Sequence, residues 1–234
     1  MRIGVTPGPA EEILHAIEPA LTQQGIQLNI VSFTDYVQPD MALAGHDLDA
    51  NLYQNVSFLT QFNHDHGTTF VSLGKVYLPP MAIYAGRTKS LAALAFRARV
   101  AIPNDPVNHD RALLLLERAG LLTLTHSGDG QASRIESNPR QLQLVELDAA
   151  QLPRSLSDVD IAVINANFAL DAGLNPNTGS LFSESNKSPY ANILAVNADG
   201  QQDVRVRALA SALTSPDARS FIVSHYRGAI YPAE

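Results

Sequence analysis

Apolar and polar side chains alternate through residues 2–6, and several there are β-branched, which predicts an opening strand. Pro7-Gly8-Pro9 reads as a turn, and residues 10–23 carry Ile13, Ile17 and Leu21 at helical spacing. Residues 26–33 return to a period of two, with Ile26, Leu28 and Ile30 on one side. A short helix at 39–44, a strand at 48–52, a helix at 58–65 and strands at 70–73 and 81–84 follow. The second half repeats the rhythm: a short helix at 90–96, a strand at 99–102, then a helix at 108–119 stopped by Gly120. Beyond it come a strand at 142–146, a short helix at 149–156, a buried strand at 161–164, a strand at 192–196 and terminal helices at 204–213 and 217–226. Strands alternating with helices over short connections predict an α/β protein with mainly parallel sheets. We read two lobes: residues 1–82 with 197–234, and residues 83–196, joined where strands cross near 81–84 and 192–197.

Composition narrows this picture. With 234 residues, 45% hydrophobic and 17% charged, the chain can give each lobe a core of its own. A net charge of -7 with scattered basic residues argues against nucleic acid as a partner. Apolar runs are too short to span a bilayer. There is no cysteine, so thiolate catalysis, cysteine zinc sites and disulfides are all excluded. No export-signal pattern precedes the first strand, which fits a cytosolic protein or the mature form of an exported one.

Three stretches carry candidate chemistry. From Val100 to Leu116 a strand ends at Ile102, the backbone turns through Pro103-Asn104-Asp105-Pro106, and a helix starts. Ligands in open α/β sheets sit beyond such strand ends, where a helix N-terminus attracts anions. Arg111, one turn in, suits a two-pronged grip on a carboxylate, and Asn108 suits either a cap or a ligand contact. The other reading of Arg111 is a surface pair with Asp110 or Glu117. The stretch from Asp49 to Leu59 interleaves amides with aromatics, among them Tyr53, Asn55 and Phe58, as a ligand pocket would. Tyr36 and Tyr77 add aromatics just after strands, although Tyr53 and Phe58 equally suit a core. In the third stretch a buried strand ends in Asn165, and Asn192 follows Ser188-Pro189-Tyr190-Ala191. Both amides can hold a zwitterion, and both suit turns. His64-Asp65-His66 has the wrong spacing for two metal ligands on one helix face, and Ser127-Gly128-Asp129-Gly130 lacks the context of a phosphate loop. No metal or cofactor is expected.

The runs Phe33-Thr34-Asp35-Tyr36-Val37-Gln38-Pro39, Asp47-Leu48-Asp49-Ala50-Asn51-Leu52-Tyr53-Gln54, Ile102-Pro103-Asn104-Asp105-Pro106-Val107-Asn108, Gln151-Leu152-Pro153-Arg154-Ser155-Leu156, Ala162-Val163-Ile164-Asn165-Ala166-Asn167-Phe168-Ala169 and Ser188-Pro189-Tyr190-Ala191-Asn192 occur in that order. Together they resemble the NlpA/MetQ family of methionine-binding lipoproteins over nearly the whole chain. The resemblance implies a two-lobed periplasmic solute-binding fold, lipid-anchored in its precursor, that delivers methionine to the permease of an ABC importer. It places Arg111 on the ligand carboxylate, Asn165 and Asn192 on the amino-acid backbone with Asn108 beside them, and Tyr36, Tyr53 and Phe58 around the thioether. Tyr53, Asn55, Phe58 and Tyr77 stand where the family often has Phe, His, Tyr and Phe. Another apolar amino acid or a methionine-containing dipeptide is therefore the alternative ligand. The family's lipid-bearing cysteine is absent from this chain. The alternative class is an enzyme on the same fold, with Asp105 and His109 as its nearest acid or base.

Overall fold

Apolar spacing and turn residues place the first elements in the computed structural model, which describes residues 1–126 and 132–234. Ile3 and Val5 of β1 (Arg2–Val5) are fully buried. Ile13, Leu14, Ile17 and Leu21 form the buried face of α1 (Pro9–Thr22), which packs on the two C-terminal helices. Each such side chain contributes roughly 1.5–3 kcal/mol when fully removed from water. Then come β2 (Asn29–Ser32), α2 (Gln38–Ala44), β3 (Ala50–Asn55), α3 (Val56–His66) and β4 (Phe70–Leu78). Gly67 ends α3 with φ 65, a left-handed conformation that glycine adopts without a Cβ penalty.

After β4 the chain builds β5 (Ala82–Ala85), β6 (Arg99–Pro103), α4 (Pro106–Arg118), β7 (Thr123–His126), β8 (Ala132–Ser137), β9 (Gln143–Leu147), α5 (Leu152–Ser155), β10 (Ile161–Ile164), α6 (Ala166–Asp171) and β11 (Ser180–Ser183). It closes with β12 (Asn192–Asn197), α7 (Val204–Leu213), α8 (Pro216–Tyr226) and β13 (Tyr231–Pro232). Two units result, one of Met1–Pro79 with Asn186–Glu234, the other of Pro80–Ser185. The first crossing falls at Pro79–Pro80, a few residues early, and the second at Ser185–Asn186, about ten residues early. Residues 186–196, expected in the second lobe, belong with the first unit, because β12 inserts between β3 and β4.

The first unit holds a sheet ordered β13-β4-β12-β3-β1-β2 and the second a sheet ordered β11-β5-β10-β6-β9. The expectation of mainly parallel sheets needs correcting. Pairing is parallel for β2-β1-β3 and for β10-β6-β9, where helices connect the strands, and antiparallel for β4, β12, β13, β5 and β11. Parallel neighbours need a crossover connection, whereas a strand that leaves or re-enters a unit can pair antiparallel without one. The helix expected at 90–96 shrinks to a 3-10 turn, Leu91–Ala93, and Phe96 beyond it is exposed. The second core gathers Ile83, Val100, Ile102, Leu113, Leu116, Ile161 and Val163 between sheet and α4. The polar run 127–130 lies outside the described residues.

Gly86 follows β5 where the chain runs against the entry to β10. A Cβ here would meet the carbonyl oxygens of Val159, Leu156 and Asp160, all of them backbone. Gly86→Ala should therefore cost about 1–3 kcal/mol, read from urea unfolding. An unchanged midpoint would mean that this backbone yields freely.

Candidate functional site

In the second unit β6 and β10 are parallel neighbours, so both end at the same edge of the sheet. The turn after β6 starts α4, and the residue after β10 is Asn165. That edge is where open α/β sheets take ligands. Asp105 caps α4, accepting from the Asn108 backbone N–H at 2.9 Å. The Asn108 Nδ2 turns back and donates to both Asp105 oxygens at 3.0 Å. Burial pushes the Asp105 carboxyl above its ordinary range, and the Asn108 donors oppose this. The Asn108 Oδ1 in turn accepts from Asn165 Nδ2 at 2.8 Å. Asn165 precedes α6 but makes no capping bond with its side chain. Its Oδ1 is buried and has no hydrogen-bond partner among the described residues.

Arg111 is on the same helix, one turn along, and is buried. Neither surface acid weighed as a partner, Asp110 or Glu117, forms an ion pair with it. Its partner is Glu184, 73 residues away, held by Nε to Oε1 at 2.9 Å and by Nη2 to Oε2 at 2.6 Å. Both side chains are almost wholly buried, 3% and 2% exposed. The Glu184 Oε2 also accepts from the Met81 N–H at 2.9 Å, and the Glu184 N–H donates to the Met81 carbonyl at 3.0 Å. Met81 and Glu184 thus tie together the places where the chain enters and leaves this unit.

In the first unit three aromatic rings make a triangle. Tyr36, in the loop before α2, stacks on Tyr53 of β3 with centroids 5.9 Å apart. Phe58, in the first turns of α3, meets both edge-on at 6.0 Å. The Tyr53 hydroxyl donates to the Tyr36 carbonyl at 2.8 Å, and burial raises its pKa well above the ordinary value. The Asn192 Nδ2 donates to the Tyr53 carbonyl at 2.7 Å and to the Tyr77 hydroxyl at 2.9 Å, joining β12 to β3 and β4. Burial holds the Tyr77 phenol in its neutral form by raising its pKa. Asn55 spends its Oδ1 on capping α3 through the Phe58 N–H at 3.0 Å, so it shapes the start of α3.

Behind these rings lies a polar cluster that sequence reasoning missed. The Asp40 Oδ1 accepts from Asn51 Nδ2 at 2.9 Å and from Gln54 Nε2 at 2.7 Å. All three residues are buried. Asp40 had no signal beyond its place in a helix start. Asp105, by contrast, stood in a turn already singled out, since Asp just ahead of a helix is a common cap. His64 and His66 end α3, His64 exposed beside Asp65 and His66 stacked on Phe62. Among the described residues no group of three metal-ligating side chains converges.

Residues 1–234 match the model of the NlpA lipoprotein family. A D-methionine-binding lipoprotein MetQ from Salmonella typhimurium is 37% identical over 223 residues, 93% of this chain and 82% of that protein. A nutrient-binding protein from Burkholderia cenocepacia, solved bound to methionine, is 39% identical with a TM-score of 0.95, covering 100% of both chains. A periplasmic substrate-binding protein of an ABC transporter from Coxiella burnetii is 41% identical with a TM-score of 0.93, again over 100% of both chains. The chain belongs to the NlpA lipoprotein family.

Proposed function

We propose that this chain is an extracytoplasmic solute-binding protein that captures methionine, or a close analogue, and delivers it to the permease of an ABC importer. The observation that carries the reading is the buried Asn165 Oδ1, an acceptor with no partner among the described residues, at the edge of its sheet where open α/β folds take ligands. A buried acceptor left unmatched costs about 1–3 kcal/mol, and an ammonium group would satisfy it. Arg111 supplies the cationic fork for a carboxylate, Asn108 orients the Asn165 amide, and Asn192 ties β12 to Tyr53 and Tyr77. Tyr36, Tyr53, Phe58 and Tyr77 supply apolar surface for a thioether, whose burial contributes roughly 1.5–3 kcal/mol. The methionine-bound Burkholderia relative supports the same ligand.

The polar groups are amides and one ion pair, which suit holding a zwitterion, so the protein binds without turnover. Asp105 and His109, the acid–base candidates of an enzyme reading, have other work. Asp105 caps α4, and His109 lies beside Asp110 at 3.4 Å and Glu146 at 3.7 Å. Among the described residues no helix is long and apolar enough to cross a membrane. We assign attachment to a lipid anchor of the precursor, as the relatives' name of lipoprotein suggests.

Native mass spectrometry of the purified protein tests the ligand, because tightly held solutes survive purification. A mass increment equal to methionine, with calorimetric binding of L-methionine to stripped protein, is the expected result. An increment matching a dipeptide or another amino acid would replace the ligand. Consumption of any amino acid by purified protein would replace the class.

A further inference from the structure

We infer that Asp105 is a positioning residue that fixes which end of the Asn165 amide faces the ligand, and so selects an α-ammonium over an α-hydroxyl. The inference rests on the methionine reading and goes beyond it. A carboxylate accepts and does not donate. Asp105 Oδ1 is already committed to the backbone N–H of Asn108, and both of its oxygens receive Asn108 Nδ2. The amide of Asn108 must then point its oxygen away from Asp105. That oxygen meets Asn165, which must present Nδ2 to it at 2.8 Å. The second amide is thereby turned in its own right, and its oxygen is the group left over. Reversing either amide sets two acceptors or two donors face to face. The three side chains form a head-to-tail relay from a negative charge to an acceptor. An ammonium only donates and matches that acceptor, whereas a hydroxyl can match either end of an amide.

The test compares L-methionine with its 2-hydroxy analogue by calorimetry at neutral pH. Serine caps helices about as well as aspartate, so Asp105→Ser keeps α4 while its hydroxyl can donate as well as accept. The relay then loses its direction. We expect methionine affinity to fall about tenfold or more and analogue affinity to stay within about threefold, so that the preference for the ammonium collapses. Asn108→Ser, which leaves the Asp105 cap on the backbone N–H and cuts the relay at its middle, should give the same collapse even if Asp105→Ser does not fold. A purely structural role would lower the melting temperature and leave the ratio of the two affinities where it was. Wild-type binding of methionine with an unchanged ratio in the variants would overturn the relay alone. A wild type that binds neither compound would overturn the methionine reading, and the relay with it.

Discussion

Arg111→Ala is expected to lower the free energy of unfolding by about 3–5 kcal/mol, because it strands Glu184 as a buried, uncompensated charge. It should also weaken L-methionine binding by more than about tenfold, or ~1.4 kcal/mol. The two losses have separate causes. The first comes from the ion pair, whose carboxylate lies 2.6 Å from Nη2 and is 2% exposed. The second comes from the ligand carboxylate, which would join Glu184 at the same planar guanidinium. They separate in the double variant Arg111→Met with Glu184→Leu. Replacing both partners by apolar side chains of similar volume should restore most of the stability, as burying neither charge avoids the desolvation cost. It cannot restore a grip on a carboxylate. Urea unfolding and calorimetry on the wild type and both variants decide the matter. Full recovery of binding in the double variant would remove Arg111 from the ligand site.

What was legible in the sequence was whatever local pattern controls. The terminal helix 204–213 is observed as Val204–Leu213, because its apolar stripe and the Asp203 cap are adjacent in the chain. The helix expected at 108–119 starts two residues earlier, at Pro106, since proline sits well at a first helical position. The strands β7, β8, β11 and β13 were not read, because each carries at most two strongly apolar positions, too few to show a period. The candidate site divides the same way. Asn108, Arg111 and Asn165 were singled out because strand-to-helix turns announce themselves through Pro, Asn and Asp. Their partners were not. Glu184 meets Arg111 across 73 residues, and no spacing rule joins a helix to the end of a distant strand. The ring triangle was readable as aromatic content, and Asn55, read as a pocket residue, also caps α3 through its Oδ1. An Asn just ahead of a helix can cap it, a bond that the fold shows and the spacing alone does not.

Asp40→Asn should stabilise the protein at neutral pH by about 2–3 kcal/mol and remove a pH dependence that the wild type carries between about pH 4 and 6. Asp40 is fully buried and its Oδ1 accepts two amide donors. Among the described residues, its Oδ2 and the side-chain oxygens of Asn51 and Gln54 have no hydrogen-bond partner. Three stranded acceptors and no donor make an arrangement that a proton on Asp40 improves. Burial raises the carboxyl from 3.8 to about 6, against the pull of its hydrogen bonds to Asn51 and Gln54. The folded protein therefore holds this proton more tightly than the unfolded chain does. The sign follows: stability from Asp40 is fully present below about pH 4, falls as the pH rises to about 6, and is flat above. This runs opposite to the usual carboxylate, whose pairing in the fold favours ionisation. Asparagine keeps an acceptor for the donors of Asn51 and Gln54, offers N–H groups where Oδ2 stands, and never ionises. Gly4 makes room for this cluster, because a Cβ there would collide with Asn51 Oδ1. Urea unfolding of both proteins at about pH 4.5 and 7.5 measures the effect as a difference, so contributions of other carboxylates cancel. A difference that is the same at both pH values would mean that Asp40 does not titrate in that range, and the polar cluster behind Tyr53 would then be held by its amides alone.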